Sequence, residues 1–101
     1  MKKYGLLENQ ILLWADDNDL LEQELLLQQS NKIRRDVETI HMAAIFKSKG
    51  QKEFYTEGNK IVKTDEEISK GLGKILLDLI ILAEINGVSL EECLTEAYKR
   101  K

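Results

Sequence analysis

The run Ile75-Leu76-Leu77-Asp78-Leu79-Ile80-Ile81-Leu82-Ala83 is apolar at every position except Asp78, and it constrains this chain more than any other feature. It is far short of the roughly 18 apolar residues that suggest a membrane span, so it reads as a buried helix. A helix apolar on nearly every side needs cover from several directions, and a chain of 101 residues has little surface with which to supply it. The expectation is a homo-oligomer, a dimer or a tetramer, with no membrane involved. Asp78 inside that run has to be paired, protonated or open to a cleft, and Lys74 one turn earlier is the nearest candidate partner.

The remainder predicts an all-α chain folded as a single domain over residues 1–101. There is no proline, aromatics are 6% of the residues, and Leu, Ile, Glu, Lys and Gln favour helix. A first helix is expected from about Tyr4 to Asp17, with Leu7, Ile11 and Trp14 forming an apolar stripe. Asp19 with Glu22 three residues later has the form of a capping box, opening a second helix that carries Leu21, Leu25 and Leu26 inward. Beyond a polar stretch at Gln28-Gln29-Ser30-Asn31 the helical period resumes with Ile33, Val37, Ile40 and Ala44, as one helix or two. Gly50 is a natural stop. Glu53-Phe54-Tyr55-Thr56 and Ile61-Val62-Lys63 flank a Gly-Asn turn and predict a small β-hairpin at about 52–63. Thr64-Asp65-Glu66-Glu67 and Ser89-Leu90-Glu91-Glu92 are further capping boxes, opening a long helix closed by Gly87 and a short last helix that ends in the basic tail 99–101.

Net charge is −3, yet residues 31–63 hold eight bases against four acids. This acidic protein with a basic island lacks the wide positive surface of a general nucleic-acid binder, while a local phosphate contact fits it. The lone cysteine, Cys93, cannot form an internal disulfide, and no segment reads as a signal peptide, so a cytoplasmic setting is expected.

Several segments carry a resemblance. Trp14-Ala15-Asp16-Asp17, Lys32-Ile33 leading into Val37, and Leu79-Ile80-Ile81-Leu82-Ala83 followed by Gly87-Val88-Ser89-Leu90-Glu91-Glu92-Cys93-Leu94 with Ala97-Tyr98 resemble the MazG-like nucleotide pyrophosphohydrolases, in particular their phage and prophage forms. The likeness is closest in the C-terminal third and weakest over residues 50–64. It implies an all-α protein that assembles through helical bundles and cleaves nucleoside triphosphates to monophosphate and pyrophosphate. It also implies Mg²⁺, held by an E-x-x-E pair on one helix and an E-x-x-D pair on the next. Residues three apart share a helix face, and hard Mg²⁺ takes oxygen ligands. Aligned on Val37 and on Leu82-Ala83, those ligand positions fall on Asp36, Thr39, Gly71 and Lys74, so that three of the four carboxylates are missing. Acids expected just ahead of each pair fall on Arg35 and Lys70. A lysine among would-be ligands repels the dication and can pair with Asp36 instead.

Three readings follow. The first is a catalytically degenerate MazG-like protein that works by binding a nucleotide-like ligand or a host protein, with no cofactor. Lys32, Arg34, Arg35, Lys70 and Lys74 would then hold phosphates by charge-assisted hydrogen bonds, unless they form only a solvated face and intersubunit salt bridges with Asp36, Glu38 and Asp78. Trp14 is taken as core, with base stacking as its functional alternative. Phe54 and Tyr55 are candidates for a partner contact, or for packing of the hairpin on its own bundle. The second reading is an active Mg²⁺-dependent hydrolase whose acidic site has moved to Asp36, Glu38 and Asp78, although Glu38 lies about 200° round a helix from Asp36. The third is a structural helical oligomer. His41 is expected as a packing or interface residue, and Cys93 as a small buried hydrophobe beside Leu90 and Leu94. Gly71 and Gly73, within a helix, are expected to permit close helix approach.

Overall fold

A computed structural model of the chain describes residues 2–100, with side chains from residue 6 onward. The protein is all-α with one small hairpin: α1 (Lys2–Asp17), a 3₁₀ turn (Gln23–Leu25), α2 (Leu26–Ser48), β1 (Glu53–Tyr55), β2 (Ile61–Lys63), α3 (Thr64–Ile85) and α4 (Leu90–Lys99). No described helix is long and apolar enough to cross a membrane. Two compact units divide the residues, Met1–Asn31 with Leu77–Lys101, and Lys32–Leu76. Lys101 of the expected basic tail lies outside the described residues.

Three helices end the same way. After α1, the Leu20 amide bonds to the Ala15 carbonyl at 2.9 Å and the Asp19 amide to Asp16 at 3.1 Å, with Asp19 at φ +57. After α2 the corresponding bonds join Gln51 to Phe46 and Gly50 to Lys47, and after α3 they join Val88 to Ala83 and Gly87 to Glu84. This is the Schellman arrangement, which satisfies the last helical carbonyls through one left-handed residue. Gly50 and Gly87 fill that position at φ +81 and +75, as the sequence led us to expect. Asp19 does not act as an N-cap: its left-handed backbone closes α1, and the next helical turn starts only at Gln23. The region 26–48 is one continuous helix.

In the first unit, Ala15, Ile81 and Ile85 form the buried centre, with Ile11, Leu20, Leu21, Leu25 and Leu77 packed around it. Burial of a side chain such as Ile85 stabilises the fold by about 1.5–3 kcal/mol. The Gln23 side-chain amide donates to the Ile85 carbonyl and helps secure the end of α3. Trp14 is not core: Ala15 takes the buried place on α1, and Trp14 is left 50% exposed. Ser89 caps α4 as expected, accepting from the Glu92 amide at 3.0 Å. Cys93 is exposed, in contrast to the expectation, because α4 buries none of its residues.

In the second unit the strands pair antiparallel, with Glu53 opposite Lys63, Phe54 opposite Val62 and Tyr55 opposite Ile61. Asn59, at φ +60, supplies the left-handed residue of the connection. Phe54 is buried and stacks on Phe46 with ring centroids 4.8 Å apart. That contact fixes the hairpin to α2 and removes Phe54 from the candidate partner surface, while Tyr55 stays 69% exposed. The Thr64 hydroxyl donates to the carbonyls of Gln51 and Lys52 at 3.3 Å, tying the first residue of α3 to the segment ahead of the hairpin.

The buried face of α2 departs from the predicted stripe. Gln29, Asp36 and Ala43 are buried, Ile33 and Ile40 are half-buried, and Val37, Ala44 and His41 are exposed. The buried face is turned by about half a residue, roughly 50°, so that two polar side chains point inward.

Candidate functional site

The second unit brings together the positions that the resemblance singles out. Asp36 and Thr39 stand one turn apart on α2, and Gly71 and Lys74 one turn apart on α3. A Cβ added to Gly71 would lie 2.4 Å from the Ile40 side chain, so glycine is what lets the two helices approach so closely there. Gly73 has no such role, since a Cβ there meets nothing within 4 Å.

That approach sets Lys74 Nζ 3.6 Å from Asp36 Oδ1. The pair is asymmetric: the Asp36 side chain is 5% exposed and that of Lys74 is 67% exposed. The ammonium thus reaches in from solvent to balance a buried carboxylate, whose Oδ2 has no hydrogen-bond partner. Thr39 turns its hydroxyl back to the Arg35 carbonyl at 3.1 Å. Lys32, Arg34, Arg35 and Lys70 are exposed on the same two helices.

This donor set does not suit Mg²⁺. One carboxylate remains of the four the resemblance implies, and the atom beside it is a cationic nitrogen, which repels a dication and cannot ligate one while protonated. Among the described residues no group of three His, Cys, Asp or Glu could hold a metal ion, and Glu38 is exposed while Asp36 is buried. A partly solvated ammonium, with Lys70 one turn earlier on the same helix, is suited to phosphate oxygens, with lysine acting as a point charge.

Asp78 and Trp14, the other ligand candidates, belong to the first unit. Gln29 is a partner of Asp78: its buried side-chain amide donates to the Asp78 carbonyl at 2.9 Å and to Asp78 Oδ1 at 3.4 Å, while Lys74, the partner expected for Asp78, lies 3.6 Å from Asp36. Sequence reasoning passed over Gln29 as part of a polar break in the helix. A seven-residue spacing links it to Asp36 and Ala43 on α2, and that was the available signal. Trp14 borders a shallow apolar hollow of about 280 Å³ with Gln10, Ile11 and Leu77. Compared with known proteins, the chain matches no family model, no curated protein and no solved structure.

Proposed function

We propose that this chain is a MazG-like helical protein, of phage or prophage type, in which an ammonium–carboxylate pair stands in place of the Mg²⁺ site and which acts by binding instead of hydrolysis. The observation that carries this reading is the Asp36–Lys74 ion pair. It joins the first position of one implied ligand pair to the last position of the other, and its positive charge lies beside the one carboxylate left. Loss of three ligands removes the means of neutralising a triphosphate with metal. Arg35, Lys70 and Lys74, with Lys32 beside them, supply the positive charge directly, which favours a nucleotide-like, phosphate-bearing ligand.

The protein works as a homo-oligomer in this account. Support comes from how little the described residues bury: three of the seven buried hydrophobics are alanines, while Leu6, Leu7, Leu13, Val37, Met42, Leu72 and Leu76 are exposed. A host-protein ligand is the second reading, favoured by Tyr55 and Ile61, an exposed cross-strand pair on the outer face of the hairpin.

The test is titration of the protein with nucleoside triphosphates in EDTA and then in Mg²⁺, with pyrophosphate followed throughout. Binding without metal, lost in Arg35→Glu with Lys74→Glu, is the expected result. Mg²⁺-dependent pyrophosphate release would overturn it. No binding of any nucleotide, with loss of a captured partner in Tyr55→Ala, would move the reading to the host protein.

A further inference from the structure

The last helix is amphipathic, yet none of its residues is buried. Leu90, Cys93, Leu94, Ala97 and Tyr98 recur at intervals of three and four, the spacing of a single helix face. Of these only Leu90 is even half-buried; Leu94 is 67% and Tyr98 76% exposed. Beside this face, within the same unit, lies an apolar groove of about 430 Å³ lined by Leu26, Leu79, Leu82, Val88, Leu90 and Cys93.

We propose that α4 is a self-association element, whose apolar stripe pairs antiparallel with α4 of a second copy and whose neighbouring groove walls add to the contact. Charge selects both the occupant and the direction. The first turn of α4 holds Glu91 and Glu92; its last turn holds Lys99, 3.9 Å from Glu96, and Arg100 follows. An antiparallel copy lays the acidic end beside the basic end twice over and sets the helix dipoles in opposition, whereas a parallel copy sets like charges together. A patch that complements itself under a two-fold rotation is what an isologous dimer requires. Helix α4 is only about 15 Å long. The ridge alone therefore falls short of the roughly 800 Å² per partner of a standard interface, and the groove walls have to contribute. This interface rests on the oligomeric state proposed above.

The lone thiol makes the test direct. In an antiparallel pair centred near Leu94, Cys93 of each copy meets its counterpart on one side of the seam. Mild oxidation of the whole protein with copper–phenanthroline should yield a disulfide-linked dimer on a non-reducing gel. Leu94→Glu should reduce that yield by about tenfold or more and lower the mass seen by light scattering, with helicity by circular dichroism unchanged. Moving the thiol to the outer face, in Cys93→Ser with Glu92→Cys, should abolish the link. Equal linking from both thiol positions, or a yield unaffected by Leu94→Glu, would overturn the proposal. If Leu94→Glu leaves an oligomer of unchanged mass, the α4 interface falls while the oligomer stands. A monomer at every concentration would refute both.

Discussion

A buried carboxylate whose counter-charge comes in from solvent is sensitive to the loss of that partner. Lys74→Ala leaves the nearly enclosed Asp36 carboxylate without its ion-pair partner. Full burial of both partners would make the loss about 3–5 kcal/mol; solvent around Lys74 reduces the expected cost to about 1–2 kcal/mol. Urea denaturation should show the lower midpoint, and combining it with Asp36→Leu should recover much of the loss, giving a non-additive double-mutant cycle. Two glycines on the same helix should respond with opposite sign. Gly71→Ala drives a methyl into Ile40, an overpacking cost of about 1–3 kcal/mol that outweighs the gain in helix propensity. Gly73→Ala meets open space and should stabilise by up to about 1 kcal/mol. Thermal melts of the two variants check this, and Ile40→Ala should relieve the first.

At the scale of elements, the hairpin hangs on one aromatic contact. Phe54→Ala removes the stack on Phe46 and should cost about 3 kcal/mol, with amide protection of β1 and β2 lost in hydrogen exchange. Tyr55→Ala, on the exposed face, should change stability by no more than about 0.5 kcal/mol. Ser89→Ala should cost about 1 kcal/mol by uncapping α4. Helix stops at Gly50 and Gly87, the Ser89 cap and the hairpin were legible because each depends on chemistry within a few residues. Asp19 was not, since aspartate serves at helix starts and also tolerates the left-handed turn that ends one. The face of α2 was misjudged for a longer-range reason. Ile33 and Ile40 belong equally to a stripe through Val37 and to one through Asp36, and the choice falls to the second because Gly71 admits Ile40 and Lys74 balances Asp36. No periodicity within α2 holds that information. Pairing between positions 36 and 74 was anticipated, in contrast, because opposite charges had been placed at positions that the resemblance assigns to one site.

For the whole molecule, the proposed function is that Lys74 and its basic neighbours bind phosphate where the resemblance would place a metal ion. Exposed apolar side chains in both units, among them Leu13 and Leu94 in one and Val37 and Leu72 in the other, fit the proposed homo-oligomer. The most direct measurement is a calorimetric titration of the intact protein with a panel of nucleoside triphosphates, first in EDTA and then in Mg²⁺, with pyrophosphate followed in the same samples. The account predicts heat of binding that persists without metal, weakens as salt is raised and disappears in Arg35→Glu with Lys74→Glu, with no pyrophosphate formed. Pyrophosphate released only when Mg²⁺ is present would contradict it.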